Sequence, residues 1–349
     1  MNLISNKIIN SHHKRLPFVV FRKPKSDIIS GFFQQNDQLF FSKNYTESGF
    51  VFAPFNDEDD AVLIPENESE FLQEKVNLNK EFKFSKEFTT DISSKENYLK
   101  LVDKAIYTIN INGLEKVVLS RKESIKLSDF NLLEVYEKLL HKYPNAYSYI
   151  WFHPKIGLWI GATPEKLLHI SQASFETVSL AGTQVYNGTE NVLWKSKELQ
   201  EQLLVTNFIK SQLAPISTDL KINTLETVKA GDLLHLRTKV SGKLIHENLQ
   251  LKTLIRSLHP TPAVCGLPRK KSKDFIIKNE NYKRTYYTGF LGELNVKNHS
   301  SSLFVNLRCM EIENNIAQIY IGGGITKDSN PEKEWEETVS KSNVMKSVL

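Results

Sequence analysis

Two cysteines in 349 residues, Cys265 and Cys309, are too few to staple a secreted scaffold and stand in no Cys/His spacing that binds zinc. No run approaches the ~18 consecutive apolar residues of a membrane-spanning helix. Met1 to Arg15 carries lysines and histidines but lacks the apolar core of a secretory leader. These absences fit a reducing compartment, and the expected location is the cytoplasm, away from membranes. No stretch rich in Pro, Gly and Ser offers a linker, so the chain reads as one domain over 1–349, strand-rich over 1–90 and catalytic over 91–349. A large excess of one charge is missing too. Forty-five Lys and Arg against 40 Asp and Glu leave +5, which suits anionic small molecules as readily as nucleic acid. The one basic cluster, Arg269-Lys270-Lys271-Ser272-Lys273, has no interleaved aromatics and reads as a solvated loop.

What is present begins, over 1–90, with short apolar runs such as Phe18-Val19-Val20-Phe21 and Gly49-Phe50-Val51-Phe52-Ala53 between polar turns, the pattern of a strand meander. The acidic run Asn56 to Asp60 lacks cation-loop spacing and reads as a surface turn. Tyr98, Leu101, Val102, Ala105, Ile106 and Ile109 mark one face of a helix that Gly113 stops. A strand follows at Lys116-Val117-Val118-Leu119-Ser120-Arg121. Its first residue is either a solvated flank or, if buried, a lysine brought below its usual pKa of about 10.4 and able to act as a base.

A helix over Leu132–Tyr143 and strands over Tyr147–Phe152 and Gly157–Ile160 run into Gly161-Ala162-Thr163-Pro164-Glu165. The Gly/Pro bracket holds Glu165 rigidly, as a surface turn residue or as a general acid. Val178 to Thr183 predicts a strand ending in a small-residue turn at Gly182 and Thr183. Further on come a strand near Leu225–Val228, a hairpin turning at Ser241-Gly242 and a helix from about Leu249. That helix enters the stiff loop His259-Pro260-Thr261-Pro262, where His259 is either a cap or a positioned ligand. Strands are expected over Thr285–Leu294, Ser302–Ile312 and Ile316–Ile321. Arg308, mid-strand among apolar neighbours, either snorkels or awaits an anion such as a carboxylate.

The densest chemistry lies near the end, where Gly322-Gly323-Gly324 reads as a glycine turn before a helix starting at Pro331, with Asn330 as its N-cap. Glu334, Glu337, Thr338 and Lys341 share one face of that helix. An earlier helix repeats the arrangement, because its apolar stripe Leu204, Val205, Phe208, Ile209 projects back onto Glu201, with Glu198 one turn earlier. Each pair is either a solvated face or an inward one. Buried carboxylates need a cation, one Lys341 cannot neutralise both on its helix, and two inward pairs would make an all-oxygen site suited to Mg²⁺.

Taken in order, Lys116 to Arg121, Gly161 to Glu165, Ala181-Gly182-Thr183, Lys197-Glu198 to Glu201, His259 to Pro262, Arg308-Cys309, Gly322 to Ile325 and Pro331 to Lys341 resemble the chorismate-utilising enzymes, from about residue 90 onward. This is the family of isochorismate synthases, salicylate synthases and the synthase component of anthranilate synthase. The resemblance implies an α+β fold, a single large domain of two antiparallel sheets flanked by helices. It also implies Mg²⁺ held by Glu201 and Glu337 with Glu198 and Glu334 beside them. Tyr287, Arg308, Lys341 and the backbone at Gly322 and Gly324 would bind the enolpyruvyl carboxylate of chorismate, Gly182 and Thr183 the ring end, and His259 would lie in the substrate pocket. Lys116 would activate water and Glu165 protonate the departing hydroxyl.

Within that family, anthranilate-forming members carry glutamine where this chain has Lys116, and aminodeoxychorismate-forming ones a nucleophilic lysine where it has Ala181. Both amine-transferring activities are therefore set aside, and with them a glutamine amidotransferase partner. The expected activity is isochorismate synthesis for menaquinone or a siderophore, by a monomer or weak homodimer. Salicylate synthesis is the alternative, and nucleic-acid binding a remote one. Gln202 and Gln184 depart from the histidine and arginine that the family often has there.

Overall fold

The runs Phe18–Arg22 and Tyr147–His153 are buried at every position because their shared sheet is covered on both faces. Phe18, Val20, Ile150 and Phe152 point to one side, against Ile4 and Ile8 of an N-terminal helix (Leu3–His13), Leu139 and Leu140 of the helix Leu132–Lys142, and Val344 of the C-terminal helix. Val19, Phe21, Tyr149 and Trp151 point to the other, against Phe50, Phe52 and Leu291 of a second sheet. The far face of that second sheet, with Val51 and Leu168, packs on Val205, Ile209 and Leu213 of the helix Ser196–Leu213 and on Leu254 and Leu258 of the helix Leu251–Leu258. The result is one large domain, a computed structural model of two stacked antiparallel sheets with helices outside, described for residues 3–76, 81, 82, 84, 90, 92–230, 233–245 and 251–349.

Among the described residues the first sheet runs, strand by strand, Gly266–Leu267, Lys116–Lys126, Ile316–Ile325, Cys309–Glu313, Gly157–Thr163, Tyr147–His153, Phe18–Arg22, Ile28–Gln34, Ser69–Lys75. The second runs Ser217–Ile222, Leu233–Leu244, Ser174–Val185, Lys166–Ser171, Ser300–Val305, Phe290–Asn295, Gly49–Ala53, Ala61–Pro65, Phe40–Ser42, with Glu226–Ala230 paired to Leu233–Leu244. Strands from the first 75 residues enter both sheets, so the strand-rich beginning is woven into the catalytic body.

Several local expectations fail where tertiary contact overrides sequence pattern. The single strand expected over Ser302–Ile312 is two strands in different sheets. Between them Arg308 has left-handed backbone (φ 49°), and Asn306 anchors the crossing by accepting from Tyr149 Oη (2.6 Å) and donating to the Tyr286 carbonyl (3.0 Å). Phe290–Asn295 replaces the longer strand expected from Thr285. Gly242 lies inside Leu233–Leu244 rather than at a turn, where a Cβ would stand 2.9 Å from the Phe175 ring. The expected glycine turn at 322–324 is continuous strand, paired with Ser120, Leu119 and Val118.

The helix expected from about Leu249 starts at Leu251, residues 246–250 lying outside those described. The basic cluster opens a helix, Arg269–Asn279, and Asp57 of the acidic run pairs with Lys273 and Arg256. Both cysteines are buried and free, and among the described residues no helix is long and apolar enough to cross a membrane.

Candidate active site

The strand Lys116–Lys126 delivers Lys116 into the interior, fully buried, so the solvated-flank alternative falls. Its Nζ donates to Glu201 Oε1 at 2.7 Å. The neighbouring strand must pass close behind this pair. A Cβ on Gly324 would stand 2.7 Å from Glu201 Oε1 and 2.9 Å from Lys116 Cε, and one on Gly322 would stand 2.8 Å from Tyr287 Oη. The glycines are therefore needed for close approach within a strand, not for a turn.

A cavity of about 90 Å³ lies here, lined by Glu165, Gly182, Thr183, Glu201, Tyr287, Arg308, Gly322, Gly324, Glu337 and Lys341. These residues come from both sheets and two helices. Glu165 follows Pro164, its carbonyl accepting from Val305 N–H (3.0 Å) and its own N–H donating to Thr163 Oγ1 (3.3 Å), which fixes the turn as the Gly/Pro bracket suggested. Burial pushes its acid up to about 8, partly opposed by the charges of Lys116 and Arg308. Glu165 consequently keeps its proton at neutral pH.

The C-terminal helix, Pro331–Lys346, starts as expected, with Asn330 Oδ1 accepting from Lys333 N–H (3.1 Å). Arg121 clamps it through Nε to Thr338 Oγ1 (2.8 Å) and by stacking 4.3 Å over Trp335, and Lys346 reaches Glu123. Glu334 is buried with Oε1 accepting from Lys197 Nζ (2.8 Å), while its Oε2 has no hydrogen-bond partner among the described residues. Burial and the nearby Glu337 raise the Glu334 acid against the pull of Lys197. Glu337 pairs with Lys341 (2.6 Å), which also donates to the Gly322 carbonyl (3.1 Å). Glu201 behaves oppositely to Glu334: burial would raise its acid, but Lys116, Lys341 and Lys197 hold it below the usual carboxylate range.

Glu201, Glu334 and Glu337 thus do turn inward, and since Lys341 serves only Glu337, lysines from elsewhere in the chain meet the other two. Lys116, Lys197 and Lys341 each take one carboxylate, and among the described residues no three acidic, His or Cys side chains converge on one point. Glu198 accepts from the N–H of Lys195 (3.1 Å), capping its own helix instead of joining Glu201, because it sits in the first turn where free amides need a partner. His259 also departs from its expected place. It is buried against Phe290, its Nε2 3.1 Å from the Thr288 carbonyl, outside the cavity lining, and burial lowers it to about 4.

His235 lines the cavity and escaped the sequence reading. Its Nδ1 lies 3.0 Å from the carbonyl of Gly182, which has left-handed backbone (φ 71°), and 3.3 Å from Thr183 Oγ1. A carbonyl only accepts, so Nδ1 carries the proton and bare Nε2 accepts from an Arg308 amine at 3.2 Å. Burial and the Arg308 charge drop His235 to about 3, keeping it neutral. The one available signal was a polar residue among Leu233, Leu234 and Leu236 in a buried strand.

Stacked antiparallel sheets with outer helices, and a cavity lined by the buried Glu165 and by the Glu201 carboxylate that holds Lys116, are the arrangement of an enzyme site. The family profile, Chorismate binding enzyme, matches residues 45–349, and the chain belongs to it. It is 27% identical to the isochorismate synthase MenF of Escherichia coli K12 over 73% of this chain and 60% of the relative. It is 30% identical to the salicylate biosynthesis isochorismate synthase of Pseudomonas aeruginosa over 71% of this chain and 53% of the relative. The chain therefore spans little more than half the length of these curated relatives. In fold it is similar to DhbC of Bacillus anthracis, with a TM-score of 0.82 at 24% identity over 99% of both chains. It is also similar to anthranilate synthase component I of Streptococcus pneumoniae, with a TM-score of 0.69 at 17% identity over 95% of this chain and 92% of the other.

Proposed function

We propose that the protein is an isochorismate synthase, converting chorismate reversibly to isochorismate with Mg²⁺ by adding water at ring carbon 2 as hydroxyl leaves carbon 4. The observation that carries this is a carboxylic acid that keeps its proton, Glu165, lining the same cavity as the Glu201 carboxylate that holds Lys116. Departure of hydroxide needs a proton donor, and attack by water needs an acceptor at the other end of the ring. Glu165 is assigned the first task and Lys116 the second, which requires the Lys116 amine, paired with Glu201, to give up its proton before it accepts one from water. Water as nucleophile needs no ammonia-delivering partner.

The donor chemistry suits Mg²⁺, since Glu201, Glu334 and Glu337 offer only carboxylate oxygens and, among the described residues, no hydrogen bond to the buried Glu334 Oε2 is made. To hold the ion these three would have to draw together and exchange their contacts with Lys116, Lys197 and Lys341 for it; when bound, it would supply positive charge for the ring carboxylate. Arg308, Tyr287, Lys341 and the backbone at Gly322 and Gly324 take the enolpyruvyl carboxylate, and Gly182 and Thr183 the ring end. His235 orients Arg308 through Nε2, so His235→Leu strands an arginine donor. A buried donor left unpaired costs about 1–3 kcal/mol, so KM for chorismate should rise about tenfold or more with a smaller change in kcat, measured in steady state.

The reaction is expected to stop at isochorismate. Pyruvate elimination requires the enolpyruvyl tail to fold over the ring and collect hydrogen from carbon 2; the Arg308 and Lys341 clamp is shared with salicylate-forming relatives, so the expectation rests on the stiff run His259 to Gly266, whose Ala263 and Val264 line the cavity. Product analysis after incubation with chorismate and Mg²⁺ tests both points. Isochorismate is the expected product, whereas stoichiometric pyruvate with salicylate fluorescence, without added isochorismatase, would favour the salicylate synthase reading.

A further inference from the structure

Arg308 and Pro164 line two cavities. One is the catalytic cavity; the other, of about 260 Å³, adds Lys142, Lys229, Asn145 and Tyr143 and has no Asp or Glu among its described lining residues. This second chamber shares Asn145, Pro164 and Lys229 with a wider groove of about 520 Å³ whose acids are largely spoken for, Glu176 by Lys166 (2.6 Å) and Glu226 by Arg237 (2.7 Å). Lys229 stands at the junction, its amine 3.6 Å over the Tyr186 ring. With three cations and no carboxylate among its described lining residues, the chamber favours an anion. Arg308 has five N–H donors, and among the described residues its guanidinium bonds His235 alone, so it has donors to spare for a carboxylate.

We propose that the chamber is an anion antechamber, in which a dicarboxylate substrate is held by Lys229 and Lys142 before one of its carboxylates passes to Arg308 in the catalytic cavity. This rests on the reading that the catalytic cavity takes a dicarboxylate. Concentrating the substrate beside Arg308 raises the rate of productive encounter without touching the chemical step, so its signature is in kcat/KM and in salt dependence.

The test compares unmodified protein with Lys142→Gln, Lys229→Gln, their double variant and the charge-keeping Lys229→Arg, all with chorismate and Mg²⁺ across a range of ionic strength. In the double variant kcat/KM should fall about tenfold and lose most of its salt dependence, as expected for a removed steering field, while kcat stays near native and Lys229→Arg keeps kcat/KM near native. Unchanged kcat/KM and salt slope in the double variant would overturn the antechamber. So would a fall in kcat with kcat/KM preserved, which would mark a product-release route, or a loss of both that Lys229→Arg shares, which would mark a structural role. If unmodified protein consumes no chorismate, the functional reading fails first, and the two failures are told apart.

Discussion

Glu165→Gln should lower kcat by about 10²-fold or more while chorismate still binds, because the amide fills the same buried site but has no proton to give to the leaving hydroxyl. The pH profile offers a sharper readout. Burial raises Glu165 from an ordinary 4.5 to about 8, so the acid is protonated below that point and ionised above it. Activity that needs the proton should therefore hold through neutrality and fall as pH rises through about 8, with that limb missing from the residual activity of Glu165→Gln. The linkage to stability has the same sign: the folded state's preference for protonated Glu165 is fully present below 4.5 and is lost as pH rises through about 8. Lys116→Ala should cost a comparable factor in kcat, since the amine hydrogen-bonded to Glu201 is then missing as the proton acceptor. Near-native kcat in either variant, measured by direct product quantification, would remove that residue from its role.

Glu201→Gln and Glu337→Gln should each abolish turnover and weaken Mg²⁺ binding, read separately by calorimetric titration of the ion into protein without substrate. Each substitution removes a formal charge from an oxygen-only donor set, and carboxylate charge governs affinity for a hard cation. Glutamine keeps an oxygen that can accept from Lys116 or Lys341, so the fold should survive, checked by an unchanged far-ultraviolet dichroism spectrum. Full turnover in excess EDTA would refute the metal requirement. Undiminished Mg²⁺ affinity in both variants would instead move the ion away from these carboxylates.

Much of the site could be read locally. Asn330 and Pro331 begin the last helix where their capping chemistry puts them, and 3.6-residue spacing then turns Glu334 inward and leaves Glu337 facing the cavity. The apolar stripe behind Glu201 turns that carboxylate toward the cavity, a signal that acts within a turn or two of chain, whereas the bracket around Glu165 fixed only its turn and left its burial to the strand carrying Val305. The two-sheet fold was legible through its resemblance to a family, since strand periodicity alone names strands and not their partners.

Other features depend on residues far apart in sequence, and only the folded chain brought them together. Lys116 meets Glu201 across 85 residues and Lys197 meets Glu334 across 137, so the lysines that accompany the inward carboxylates could not be paired from spacing. The run from Phe304 to Met310 gives no sign that the chain changes sheets at Arg308, because a residue buried between sheets and one within a sheet are equally apolar. Gly322 to Gly324 read as a turn because glycine permits one. Their small size was needed for what approaches from elsewhere, Tyr287, Glu201 and Lys116. His235 was invisible for the same reason: its neutral tautomer is set by the Gly182 carbonyl on one side and Arg308 on the other, partners supplied by the sheets and not by its neighbours in sequence.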